Sequence, residues 1–76
     1  MTFQIRINGP EEAQKLNAIA TKFPEDIWIH GKQGTADAKS LLGLMLMTME
    51  NDVKLVAEDS VSEKMIRKEF GDFIVE

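Results

Sequence analysis

Side chains able to do chemistry are few in this sequence, and they are dispersed. His30 is the single histidine; it follows Ile29 at the end of the apolar stretch Ile27-Trp28-Ile29 and precedes Gly31-Lys32-Gln33-Gly34. A histidine so placed sits beside a turn, with Lys32 as the one cation nearby, and its plainest reading is a solvent-facing strand residue. With no cysteine and one histidine, metal ligands would have to come from scattered carboxylates, so no metal site is expected. Glu11-Glu12 and Glu25-Asp26 are carboxylates adjacent in sequence. Neighbours on a helix point apart, whereas an acid/base pair must face one substrate, so these read as caps and solvated ends. Neither a catalytic residue nor a cofactor site is expected, and the chain does not read as an enzyme.

The elements that would position these residues can be traced from spacing. Phe3, Ile5 and Ile7 alternate with Thr2, Gln4 and Arg6, the period-2 pattern of a strand with one buried face. Asn8-Gly9-Pro10 ends it, and Pro10 with Glu11 and Glu12 opens a helix, since proline is tolerated in the first turn and acids favour the positive end of the dipole. Leu16, Ile19, Ala20 and Phe23 form the helical stripe that Pro24 stops. Ile27, Trp28 and Ile29 begin a second strand, with Trp28 facing opposite to its neighbours, and the turn at Gly31 to Gly34 leads into a short third strand ending near Ala38.

Ser40 then stands where a helix N-cap is wanted, ahead of Leu41-Leu42-Gly43-Leu44-Met45-Leu46-Met47-Thr48-Met49. At 100° per residue Leu44 and Met47 share one arc, and Leu41, Leu42, Met45 and Met49 share another. The helix is therefore apolar on more than one face, and a small open domain cannot bury both. Glu50-Asn51-Asp52 makes a turn into a fourth strand with Val53, Leu55 and Ala57 inward. Ser60-Val61-Ser62-Glu63 fits a capping box for a last helix with Met65, Ile66 and Phe70 inward, ended by Gly71. Asp72-Phe73-Ile74-Val75-Glu76 is apolar enough to dock, as strand or helix. The order is βαββαβα, an α+β fold with helices over one face of an antiparallel sheet.

Seventy-six residues fit one domain spanning 1–76 and bury only about 60% of the unfolded surface, enough for one modest core and no deep cleft. Nine Lys and Arg against thirteen Asp and Glu give a net charge of −4, which argues against a general nucleic-acid binder. The start MTFQIRING carries no basic segment followed by an apolar run, and no stretch approaches a membrane span, so a cytoplasmic location is expected.

The stretch Ala20-Thr21-Lys22-Phe23, Asp26-Ile27, Gly34-Thr35-Ala36-Asp37-Ala38-Lys39-Ser40-Leu41-Leu42-Gly43 and Val53-Lys54-Leu55-Val56-Ala57-Glu58 resembles the histidine-containing phosphocarrier (HPr) family of the bacterial sugar phosphotransferase system. The resemblance covers residues 2–70 and is sharpest at Ala38 to Met45, which is similar to the family's regulatory-serine segment. It implies an open-faced β-sandwich of four antiparallel strands under three helices, in the order read above. The family's phosphate-bearing histidine lies in a motif of the type Gly-Ile-His-Ala-Arg-Pro just before the first helix. Here Asn8-Gly9-Pro10-Glu11-Glu12 stands in that place, after a connection about three residues shorter; counted back without gaps from Asp26, the histidine position falls on Gly9 and the arginine position on Glu11. Phosphoryl transfer needs a nucleophilic nitrogen and a cation to hold the anion, and both are gone.

The resemblance further implies that Ser40 is a regulatory phosphorylation site and that Leu41, Leu42 and Met45, with Lys39 at the rim, dock protein partners. Read plainly, Ser40 is an ordinary N-cap serine, and the tail or a second copy covers the patch. The implied partners are an HPr kinase-like enzyme, phosphotransferase components or a transcription regulator. The expected function is a regulatory adaptor without histidine phosphotransfer. The alternatives are an atypical phosphocarrier using His30 or another acceptor, and an assembly module that is never phosphorylated.

Overall fold

The structure, a computed structural model, describes residues 1–50 and 52–75. The element order is β1 (Thr2–Arg6), α1 (Gly9–Ala20), β2 (Ile27–Gly31), β3 (Gly34–Asp37), α2 (Leu41–Met47), β4 (Asp52–Ala57) and α3 (Glu63–Glu69). The four strands form one antiparallel sheet in the order β1-β4-β2-β3. This is the βαββαβα order that the spacing predicts and the open-faced sandwich that the resemblance implies.

Alternation along the strands decides which face is covered. Phe3, Ile5, Ile7, Ile27, Ile29, Val53, Leu55 and Ala57 point to one side and join Leu16, Leu44, Ile66 and Phe70 from the three helices in a single core. Phe70 stacks on Phe23 with ring centroids 5.6 Å apart, tying the end of α3 to the segment after α1. The opposite face presents Gln4, Arg6, Trp28, His30 and Lys54 to solvent. Trp28 does lie on the open side, beside Val56 of β4.

Several local expectations are corrected. Helix α1 ends at Ala20 rather than at Pro24, and Phe23 enters the core from the loop beyond it. Ser62, not Ser60, caps α3, its hydroxyl accepting the Met65 N–H at 3.3 Å. Burial of Val61 draws the chain inward first, and the Ser60 hydroxyl donates instead to Glu58. Starting α3 at Glu63 turns Met65 outward, leaving Ile66 and Phe70 as the inner residues. The Glu50-Asn51-Asp52 turn includes Asn51, which lies outside the described residues, as does Glu76.

The tail forms neither a full strand nor a helix: residues 71–73 turn out of α3, and Ile74 meets β1 at one isolated bridge. The Arg6 N–H donates to the Phe73 carbonyl at 2.9 Å, the Val75 N–H donates to the Gln4 carbonyl at 2.8 Å, and Ile74 bridges Ile5. Phe73 is buried, so these residues shield the outer edge of β1. Among the described residues no helix is long and apolar enough to cross a membrane.

Candidate functional site

Two places on this scaffold bear on function: the opening of α1, and the loop and helix that follow β3. At the first, Gly9 begins α1 with φ +80°, a conformation that glycine adopts without steric cost. The Asn8 side chain makes no capping bond; the Glu12 carboxylate turns back to accept the Asn8 N–H at 2.8 Å. Pro10 contributes no N–H, and Glu11 and Glu12 both lie in the first turn. A phosphate brought here would meet two carboxylates, one of them already on a backbone donor.

His30, the other possible nucleophile, lies on β2 opposite Lys54 of β4 and Thr35 of β3. It is exposed on the open face of the sheet, whereas α1 begins from the covered side. The structure therefore does not bring His30 to the place where this fold presents a helix opening. Among the described residues no group of three or more His, Asp or Glu is arranged to hold a metal ion.

The second place is built around residues 37–43. The Ser40 N–H donates to the Asp37 carbonyl at 2.8 Å, and the Leu44 N–H donates to the Ser40 carbonyl at 3.0 Å. The Ser40 hydroxyl oxygen accepts the Gly43 N–H at 3.3 Å, the capping bond its position predicts. The Lys39 N–H donates to the Asp37 carboxylate at 2.9 Å, and the Asn17 amide donates from α1 to the Ala38 carbonyl at 3.1 Å. The loop is thus pinned to both the sheet and α1 while Ser40 itself stays exposed.

Packing then separates the two arcs of α2. Leu44 and Met47 enter the core, as expected. Leu41, Leu42, Met45, Leu46 and Met49 remain exposed, with Leu42 at 74%, Leu46 at 65% and Met49 at 88%. The regular helix runs from Leu41 to Met47, shorter than the Ser40 to Met49 span expected, with Thr48 as its C-cap. Leu46, which neither sequence arc includes, shares the exposed face; it lies one turn after Leu42, a spacing of four that marks a common face. Lys39 is half-buried at the start of this patch. The tail does not cover it, because Phe73 to Val75 run along β1 at the far edge of the sheet.

At the other end of α2 the Glu50 carboxylate accepts the Lys32 N–H at 2.7 Å and the Gln33 N–H at 3.4 Å, anchoring the helix to the β2–β3 turn. Gly31 lies close beneath this anchor: a Cβ there would stand 2.5 Å from the Glu50 carboxylate and 2.7 Å from the Met47 methyl, so one of these side-chain ends would have to shift. No short-range pattern announces a contact across eighteen residues.

The fold and its serine-capped helix define an open-faced sandwich of the phosphocarrier type. The family model for the PTS HPr component phosphorylation site matches residues 11–68, and the chain belongs to that family. The matched residues begin at Glu11, past Gly9. Among solved structures, the chain is similar to the HPr-C-His protein of Thermoanaerobacter tengcongensis, seen in its crystal structure. The two share 29% identity over 95% of this chain and 88% of that one, with a TM-score of 0.74. No curated protein matches the chain.

Proposed function

We propose that this member of the HPr family is a cytoplasmic adaptor that docks protein partners through α2, is controlled by phosphorylation of Ser40, and does not carry phosphate on histidine. The observation that carries this reading is the set of five exposed apolar side chains that begins directly after an exposed capping serine. Exposed leucines and methionines on one helix face suit a surface meant to be covered, and flexible methionines adapt to more than one partner. A phosphate on Ser40 would add about −1.5 to −2 charges at the edge of that surface and change which partners fit. An HPr kinase-like enzyme, phosphotransferase components and a transcription regulator are the partner classes proposed.

Gly9, Glu11 and Glu12 support the loss of histidine transfer, since the first removes the nucleophile and the others put negative charge where an anion would bind. An atypical phosphocarrier using His30 is the weaker reading, because His30 lies on the open sheet face without a helix opening, although Lys54 stands opposite it on β4. The test of the adaptor reading is the intact mass, with site mapping, of the protein incubated with ATP and an HPr kinase beside an authentic HPr. One phosphate, lost in Ser40→Ala, is the expected result. No phosphate while the authentic HPr is labelled would overturn the serine switch and leave α2 as a constitutive docking face of an assembly module.

A further inference from the structure

We infer that the open face of the sheet, away from α2, binds a small phosphate ester of a flat aromatic ring, a molecule of the nucleoside monophosphate kind. The strand register sets Gln4 of β1, Lys54 of β4 and His30 of β2 in one row across the sheet. All three are exposed on the open side, with neighbouring Cβ atoms about 5 Å apart. The row borders a shallow depression of about 490 Å³ that Lys32, from the β2–β3 turn, and Asp52 also line. Two ammonium groups, the His30 ring N–H and the Gln4 amide thus supply donors around one hollow. A tetrahedral phosphate, with acceptor oxygens on every side, fits donors so distributed better than a planar carboxylate does. Trp28, the only tryptophan, lies on the same face two residues before His30 and diagonal to Lys54, about 7 Å away. It is 39% exposed and offers a stacking surface. A ring on Trp28 and a phosphate at Lys54 are separated by a gap that a sugar spans.

The surrounding carboxylates are engaged or turned away. Asp52 is held by Arg6, whose guanidinium stands 3.0 Å from its Oδ1. Glu50 accepts the Lys32 and Gln33 N–H groups from the covered side, since the Cβ that would meet it on Gly31 points opposite to the His30 side chain. Asp37 stands opposite Trp28, one row away, and its carboxylate accepts the Lys39 N–H. Asp26 and Glu58 lie beyond Ile27 and Ala57, at the far end of these strands. Lys32 and Lys54 have no carboxylate partner among the described residues. The row therefore keeps a local surplus of positive charge in a chain whose net charge is −4, which suits a single phosphate rather than a polyanion.

Titration of the full chain with AMP at low salt, followed by amide and indole N–H chemical shifts, tests this. The signals of His30, Gly31 and Lys54 and the single indole N–H of Trp28 should move together and saturate, with a midpoint of about 1 mM for so open a site. Inorganic phosphate should move the same amides about tenfold more weakly and leave the indole in place, and adenosine should move none of the amides. Lys54→Gln should weaken AMP about tenfold, and Trp28→Ala should bring AMP to the level of inorganic phosphate. Lys68→Gln, at an exposed lysine of α3, should change neither titration. The unmoved signals of the core residues report that each variant is folded. Shifts that never saturate, or equal weakening by Lys54→Gln and Lys68→Gln, would show diffuse charge attraction and overturn the site. AMP binding no tighter than inorganic phosphate, or unaffected by Trp28→Ala, would overturn the assignment of a ring-bearing ester.

Discussion

Ser40 and Gly43 are joined by a 3.3 Å hydrogen bond in which the Ser40 hydroxyl oxygen accepts the backbone N–H. The same Gly43 lets α2 lie close to β3, since a Cβ on it would stand 3.3 Å from the Ala36 Cβ. One residue therefore receives the cap and sets the helix against the sheet, and the capping oxygen is the atom proposed to carry phosphate.

Removing the cap should weaken the domain without unfolding it. Ser40→Ala is expected to cost about 1 kcal/mol, a fall of roughly 4–8 °C in Tm for a chain of this size, while Ser40→Asp, which can still accept the Gly43 N–H, should melt close to the parent. Thermal melts by circular dichroism check this. No loss in Ser40→Ala would mean that the cap contributes little.

The two arcs of α2 should separate in stability as they do in burial. Leu44 is fully buried, and Leu44→Ala is expected to cost about 2–5 kcal/mol; Leu42 is 74% exposed, and Leu42→Ala should stay within about 0.5 kcal/mol. Urea titrations of the two variants read the difference directly. A large loss from Leu42→Ala would contradict its placement on a free surface.

The tail should matter for stability and not for the docking face. Phe73 is buried, and Phe73→Ala is expected to cost about 3–5 kcal/mol. Hydrogen exchange should then quicken in β1, which accepts the tail's hydrogen bond at Gln4 and donates its own from Arg6, before it quickens in α2. Earlier exchange in α2 would mean that the tail supports the helix after all.

The third helix offers a test of which serine is the cap. Ser62→Ala should cost about 1 kcal/mol and Ser60→Ala less than about 0.5 kcal/mol, because only the Ser62 hydroxyl accepts a helix N–H. The reverse order in paired melts would restore the capping box that the spacing suggested.

What could be read from the residues follows from the range of the forces involved. The alternation in β1, β2 and β4 records burial on one sheet face, so these strands and the Leu44–Met47 arc were legible. The capping role of Ser40 was legible too, since a cap is settled within three residues. The end of α1 was not, because Phe23 keeps helical spacing with Leu16, Ile19 and Ala20 yet reaches the core from a loop. Ser60 and Ser62 both satisfied a cap pattern, and only the burial of Val61 between them decides. The tail carries too few residues for a period to declare itself. Its pairing with β1 and the grip of Glu50 on the β2–β3 turn depend on where distant segments meet. At the site, Gly9 and Glu11 carry meaning only against the motif that the resemblance supplies, since neither residue makes a pattern of its own.

The proposed loss of histidine phosphotransfer from this HPr-family chain is read from the intact mass after incubation with phosphoenolpyruvate and enzyme I. An authentic HPr in the same reaction should gain one phosphate, and this chain should gain none. An acid-labile phosphate on this chain that disappears in His30→Ala would contradict the account and return the protein to the phosphocarriers.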